Sequence, residues 1–189
     1  SRGDFLNPDF FLLVSEAARR KNQDGLLAAS SLMSLVKIEG LDDIAITLQV
    51  DWLNAALAEN ELEPLFLNQS YAHKSLLDQV DCHIDEEEFI NNGELVSVIV
   101  PLFNAEDWIE TALRSLAAQT WRNLEVIVVD DCSTDNSLVA ARKFAAKDPR
   151  FKIIASDKNR GAYGCRNLGM EIATGHFITV HDADDWSHP

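Results

Sequence analysis

Phe177-Ile178-Thr179-Val180-His181-Asp182-Ala183-Asp184-Asp185-Trp186 is a strand-forming run that stops in acid. Thr, Ile, Val and Phe favour a strand, and Gly175 bounds the run upstream. The acids then fall at the C-terminal lip of a sheet, the edge where open α/β sheets bind ligands. Asp182 and Asp184 are two apart, so in an extended segment they point the same way. Two carboxylates so placed repel unless a cation lies between them, and a hard divalent ion, Mg²⁺ or Mn²⁺, suits oxygen ligands and keeps positions for phosphate and water. An isolated acidic triplet is more often a solvated turn, so its meaning depends on what precedes it.

Working upstream, the half from residue 94 alternates strand and helix. Leu95–Val100 is an apolar, β-branched strand whose near-continuous hydrophobicity suits a parallel strand buried on both faces. Asn104 is placed to cap a helix with Glu106 and Asp107 in its first turn and Trp108, Ile109, Ala112, Leu113 and Leu116 on its apolar face. Leu124–Val129 is a second buried strand ending in Asp130-Asp131, and Ser133-Thr134-Asp135 opens a helix running to about Lys147. Phe151–Ala155 is a third strand, Asn159-Arg160-Gly161 a loop, and Gly164–Ala173 a third helix with Gly175 as its stop. This order predicts a doubly wound parallel sheet with right-handed crossovers.

The strand ends narrow the chemistry. The first ends in Pro101-Leu102-Phe103-Asn104, with neither the G-x-G-x-x-G of a dinucleotide fold nor the Gly-rich Lys-Ser/Thr turn of a P-loop. Asp130 and Asp131 could accept hydrogen bonds from a base or a ribose. For Asp130 the plainer role is capping the helix from Ser133. Arg160 and Arg166 suit a diphosphate, although a surface arginine paired with an acid is nearly as common.

Val96-Ser97-Val98-Ile99-Val100-Pro101-Leu102-Phe103-Asn104, Gln119-Thr120-Trp121, Glu125 to Asp135, Asn159-Arg160-Gly161, Arg166-Asn167-Leu168-Gly169 and Asp182-Ala183-Asp184-Asp185, in that order and spacing, resemble the family 2 glycosyltransferases of GT-A fold. The resemblance covers about residues 95–189. It implies an inverting transferase that uses a nucleotide-sugar donor, most often a UDP-sugar, with Mn²⁺ or Mg²⁺, and passes the sugar to a glycan acceptor. It implies that Pro101, Phe103 and Asn104 line the nucleoside, with Phe103 against the base, and that Asp131 contacts the base. Asn159, Arg160 and Arg166 would border the nucleotide. Asp182 and Asp184 would form the D-x-D motif, Asp184 on the metal and Asp182 nearer the ribose or the metal. Phe103 stands where the family often has Tyr, and Cys132 where it often has Gly. The family's acceptor site and acidic base belong to the second half of its domain, so the base is expected beyond residue 189 and none within the chain. His181 and His188 read as structural.

The fold expected is thus a truncated GT-A-type, Rossmann-like parallel sheet over 94–189, preceded by a small all-α module over 1–66 and a polar linker over 67–93. In the module, Asn7-Pro8-Asp9 starts one helix, Leu26–Lys37 forms a second, and a third from Asp42-Asp43 carries Ile44, Leu48, Trp52, Ala55 and Ala56 on an apolar face. One short helix is predicted over Tyr71–Val80. The resemblance extends to bacterial surface-polysaccharide transferases with a helical region before the transferase domain, and the module's protein partner is left open.

A net charge of −15, with −11 in 1–93 and −4 in 94–189, argues against a nucleic-acid surface. At 47% hydrophobic residues the chain can build a core. Cys82, Cys132 and Cys165 fit neither a disulfide framework nor a zinc site and point to a reducing compartment. No apolar run reaches the length of a membrane span. A cytoplasmic protein is expected, with room for peripheral association at the inner face of the membrane. Two other classes compete. A receiver-type signalling domain also pairs acids around Mg²⁺, but its pair follows the first strand and it needs a later Thr and Lys. A non-catalytic interaction module would dock a partner on helices 8–60, with the second half serving as scaffold.

Overall fold

The computed structural model describes residues 50, 51, 53–55, 57, 58, 61–72, 76–85, 87 and 89–189. The helices expected over 8–49, and Trp52 and Ala56, lie outside the described residues. The chain divides into two compact units between His83 and Ile84.

In the first unit, residues 50, 51, 53–55, 57 and 58 are helical, and Ala55, expected on the apolar face, is exposed. The expected polar linker begins with structure. β1 (Leu65–Leu67) pairs antiparallel with β2 (Val80–Cys82), Leu65 opposite Cys82. Asn54 extends this pairing, its side chain donating to the Leu65 carbonyl at 2.9 Å and accepting from the Leu65 N–H at 2.7 Å. The single helix expected over Tyr71–Val80 is instead a 3₁₀ turn at Gln69–Tyr71, a four-residue helix at Leu76–Gln79, and β2. Val80 is β-branched and finds a strand partner in Leu67, which outweighs a weak helical preference.

The second unit holds a four-stranded parallel sheet in the order β5-β4-β3-β6. Its strands are β3 (Val96–Leu102), β4 (Leu124–Asp130), β5 (Phe151–Ala155) and β6 (Phe177–Val180). Its helices are α1 (Ile109–Ala117), α2 (Ser137–Ala145) and α3 (Gly161–Ile172). Every residue of β4 is buried, as a central strand covered on both faces requires. Alternate residues serve opposite faces. Val98, Val100, Leu102, Val126 and Val128 pack with Ile109, Leu113 and Leu116 of α1 and Ala141 of α2, whereas Ile127 and Val129 pack with Cys165 and Leu168 of α3. This is the Rossmann-like, doubly wound arrangement that the alternation of strand and helix predicts. Pro101 is tolerated inside β3 because β6 pairs only as far as Ile99, leaving the missing N–H undemanded on that side. β6 is an edge strand, with Phe177, Ile178 and Val180 exposed.

The helices start later or earlier than their sequence signals. α1 begins at Ile109 and Trp108 is its N-cap, 39% exposed rather than part of the buried face. α2 begins at Ser137, not Ser133, and α3 at Gly161, not Gly164. Gly175 is not the stop of α3, whose C-cap is Ala173 in an extended conformation. A Cβ on Gly175 would lie 2.6 Å from Ser97 Oγ and 2.7 Å from Ser97 N, so glycine is required for close approach to β3.

Residues 89–94, the end of the expected linker, are tied to the sheet unit. Ile90 bridges Trp121, the Trp121 indole donates to the Glu94 carbonyl at 3.0 Å, and Asn123 donates to the Gly93 carbonyl at 2.7 Å. At the same end of the sheet Glu125 is a hub. It accepts from Ser97 Oγ at 2.6 Å, Lys152 Nζ at 2.6 Å and Thr174 N at 2.6 Å, joining β3, β4, β5 and the turn into β6. Burial pushes its carboxyl up, but the bonds from Lys152, Ser97 and Thr174 win and hold it at about 2.

Candidate donor-binding site

Parallel strands deliver all their following loops to one edge. Here the loops after β3 and β4 are clasped to each other. Asn104 and Cys132 both take positive φ, 47° and 64°, which asparagine tolerates and which explains why glycine would suit position 132. Asn104 does not cap α1. Its Oδ1 accepts from Thr134 N at 2.8 Å, and its own N–H donates to Ser133 Oγ at 3.1 Å. The Ala105 N–H donates to Ser137 Oγ at 2.7 Å and the Glu106 N–H to Asp135 Oδ2 at 3.1 Å. In return Glu106 Oε2 accepts from Asn136 N at 2.8 Å. Neither helix has a capping bond from its own N-cap side chain, and polar side chains at each entry reach across to the other loop. Asp135 also accepts from the Ser137 hydroxyl and N–H. Burial pushes its carboxyl up, and these bonds outweigh that and lower it.

The acids after β4 diverge. Asp130 is 2% exposed; its Oδ2 accepts from Ser133 N at 3.3 Å and its Oδ1 has no partner. It steadies the loop rather than capping a helix, since α2 starts later. Asp131 is 3% exposed and accepts from the N–H groups of Arg160 at 2.6 Å and Gly161 at 2.8 Å. A carboxylate there satisfies orphan amides at the N-terminus of α3. Cys165, one turn into α3, is fully buried, and burial together with its bond to Asp131 pushes its thiol to about 11.

The acidic stretch after β6 is a turn rather than an extension of the strand. The Asp185 N–H donates to the Asp182 carbonyl at 3.2 Å, and Ala183 between the two acids is buried in the core. The turn, not strand alternation, presents the acids. Asp182 Oδ1 accepts from Arg166 Nη2 at 2.6 Å. Asp184 is exposed and has no hydrogen bond or ion pair among the described residues. The His181 Nδ1 lies 2.9 Å from the Asp182 carbonyl and so carries the proton; burial holds its imidazole below the ordinary value.

Pro101, Phe103, Asn104, Asp131, Arg166, Asp182 and Asp184 line one cavity of about 360 Å³. Trp108, Ala162 and Cys165, which the sequence does not assign to the site, complete it with Leu102, Ala105 and Ala183. Asn159 and Arg160 stand off its wall. Asn159 donates to the Asp131 carbonyl at 3.3 Å, and the Arg160 guanidinium binds Asp157 at 2.6 Å and Ser156 at 2.9 Å. Phe103 is 51% exposed at the cavity, a free aromatic face.

The donor set available to a cation is two carboxylates. No group of three His, Cys, Asp or Glu side chains converges among the described residues. That set fits a Mg²⁺ or Mn²⁺ ion, which needs one or two protein carboxylates and takes its other ligands from phosphate and water. Among the described residues no helix is long and apolar enough to cross a membrane.

Fold and cavity first define a class, an α/β protein with an acid-lined site at the strand ends. Residues 97–189 match the model of Glycosyl transferase family 2, and this half of the chain belongs to that family. The glycosyltransferase YibD of Escherichia coli K12 is 42% identical over 100 residues, which are 53% of this chain and 29% of that protein. The UDP-Glc:alpha-D-GlcNAc-diphosphoundecaprenol beta-1,3-glucosyltransferase WfgD of Escherichia coli is 40% identical over 91 residues, 48% of this chain and 35% of that one. A mannosyltransferase from Pyrobaculum calidifontis, solved with GDP-Man and Mn²⁺, aligns at 32% identity over 51% of this chain and 29% of its own, with a TM-score of 0.48. The chain thus spans about a third of the length of the curated relatives it matches.

Proposed function

We propose that residues 94–189 bind the nucleotide-sugar donor, a UDP-sugar, of an inverting glycosyltransferase that builds a glycan or polysaccharide. The observation that carries this is the convergence of Phe103, Asp131, Arg166, Asp182 and Asp184 on one cavity at the strand ends. Phe103 offers a face for the base and Asp131 an acceptor for a base N–H. Arg166 is the cation for the diphosphate. Asp184, with Asp182, would hold Mn²⁺ or Mg²⁺, whose Lewis acidity stabilises charge on a leaving diphosphate. The UDP assignment is supported by the donor in the name of the E. coli WfgD relative.

The test is calorimetry of UDP binding to the full chain with and without Mn²⁺. Stronger binding with metal, and loss of most of that gain in Asp184→Ala, is expected. Equal binding by wild type and variant in Mn²⁺ would remove Asp184 from the metal.

A further inference from the structure

Asp182 already has a cation. Its Oδ1 is 2.6 Å from Arg166 Nη2, an ion pair between α3 and the acidic turn. The arginine is three-quarters buried, and its Nε is buried without a partner. Its guanidinium lies 5.5 Å from the ring centroid of Tyr163, itself 81% exposed. A guanidinium on Asp182 neutralises one of the two carboxylates a metal would use and repels a second cation by charge. It is also the cavity-lining group best suited to a diphosphate, with further N–H donors that the pair with Asp182 leaves idle.

We propose that Arg166 is an exchange latch, which holds Asp182 in the empty site and releases it to a divalent cation when a nucleoside diphosphate draws the guanidinium away. The inference rests on the donor-site reading above and adds a direction to it. Metal and nucleotide each weaken the ion pair that opposes the other, so their binding is cooperative through this residue. By linkage, the factor by which UDP raises Mn²⁺ affinity equals the factor by which Mn²⁺ raises UDP affinity.

Removing the arginine therefore has opposite effects on the two ligands. In Arg166→Met, Mn²⁺ alone should bind about fivefold tighter than to wild type, the size of a partly exposed ion pair. UDP in the presence of Mn²⁺ should bind roughly tenfold weaker, for loss of charge-assisted bonds. The cooperativity factor should fall toward one. Arg166→Lys keeps the charge and should leave Mn²⁺ affinity near that of wild type. The measurements are Mn²⁺ titration of the full chain by electron paramagnetic resonance, with and without UDP, and calorimetry of UDP. Circular dichroism melts confirm folding, and Arg166→Gln repeats the test if methionine leaves the fold marginal. Unchanged or weaker Mn²⁺ binding in the neutral variants overturns the latch even where wild type binds UDP with Mn²⁺. A wild type that binds no UDP with Mn²⁺ overturns the donor-site reading and the coupling with it.

Discussion

Replacing Asp131 with alanine tests whether the residue proposed to meet the base is also a structural cap. Its two oxygens accept from Arg160 N at 2.6 Å and Gly161 N at 2.8 Å, and the side chain is 3% exposed. A hydrogen bond to a charged group contributes about 1.5–3 kcal/mol, and an anion at a helix N-terminus adds up to about 1 kcal/mol. Two such bonds make the expected loss about 3–6 kcal/mol, a large part of the roughly 5–15 kcal/mol that holds a domain together. Urea unfolding of the full chain should show a lower midpoint for Asp131→Ala. Asp131→Asn, which keeps one acceptor oxygen but turns an amide N–H₂ toward a backbone N–H, should recover little. The cap and base roles separate with Gly161→Ala. Gly161 takes φ +69°, and an added Cβ there meets nothing within 4 Å, so this change strains the same helix start without touching the carboxylate. If Asp131 also meets the base, UDP affinity falls in Asp131→Ala by roughly tenfold beyond any fall in Gly161→Ala. An unfolding midpoint unchanged in Asp131→Ala would refute the capping argument, and equal UDP affinities in the two variants would refute the base contact.

Glu125, lowered from 4.5 to about 2, contributes stability that is fully present above pH 4.5 and is lost as pH falls through about 2. That displacement is worth about 3 kcal/mol, so acid unfolding followed by circular dichroism should be shallower between those values in Glu125→Gln, and parallel profiles would count against the hub. Gly175→Ala places a methyl 2.6 Å from Ser97 Oγ and should lower stability by about 1–3 kcal/mol in urea, with a neutral result showing that the turn can shift. Phe103→Ala should weaken UDP about tenfold with little change in melting temperature, because the ring is 51% exposed and base stacking is worth about 1–3 kcal/mol; Phe103→Tyr should restore binding.

The strands were the most legible part of the chain. Phe151–Ala155 and Phe177–Val180 form as their β-branched and aromatic runs predict, and β4 adds only Asp130. Helix starts were less legible for a specific reason. Asn104, Glu106, Ser133 and Asp135 are residue types that favour helix starts, and the sequence assigns each to the helix that follows it. In the structure they bond across the two loops, because parallel neighbours β3 and β4 bring those loops side by side. A sequence signals that a capping side chain is present, not which amide it reaches. The two-stranded sheet of the first unit was missed because three-residue strands carry too short a pattern for period to register.

The same ambiguity governs the site. A parallel sheet sends every strand-end loop to one edge, so the polar residues of those loops can be listed as neighbours from sequence alone. Whether each faces a ligand or a backbone amide is then a competition between partners of similar chemistry. Asn159 and Arg160 have the right side chains for a nucleotide, yet the 2.6 Å bond from the Arg160 N–H to Asp131 uses the main chain, while the guanidinium turns to Asp157. Asp182 shows the competition most plainly, since Arg166 already holds the carboxylate proposed for the divalent ion. A group that must bind charge only when substrate arrives needs a partner strong enough to hold it beforehand and weak enough to exchange. A partly exposed ion pair, worth on the order of 1 kcal/mol, meets both conditions, where a fully buried pair would resist exchange.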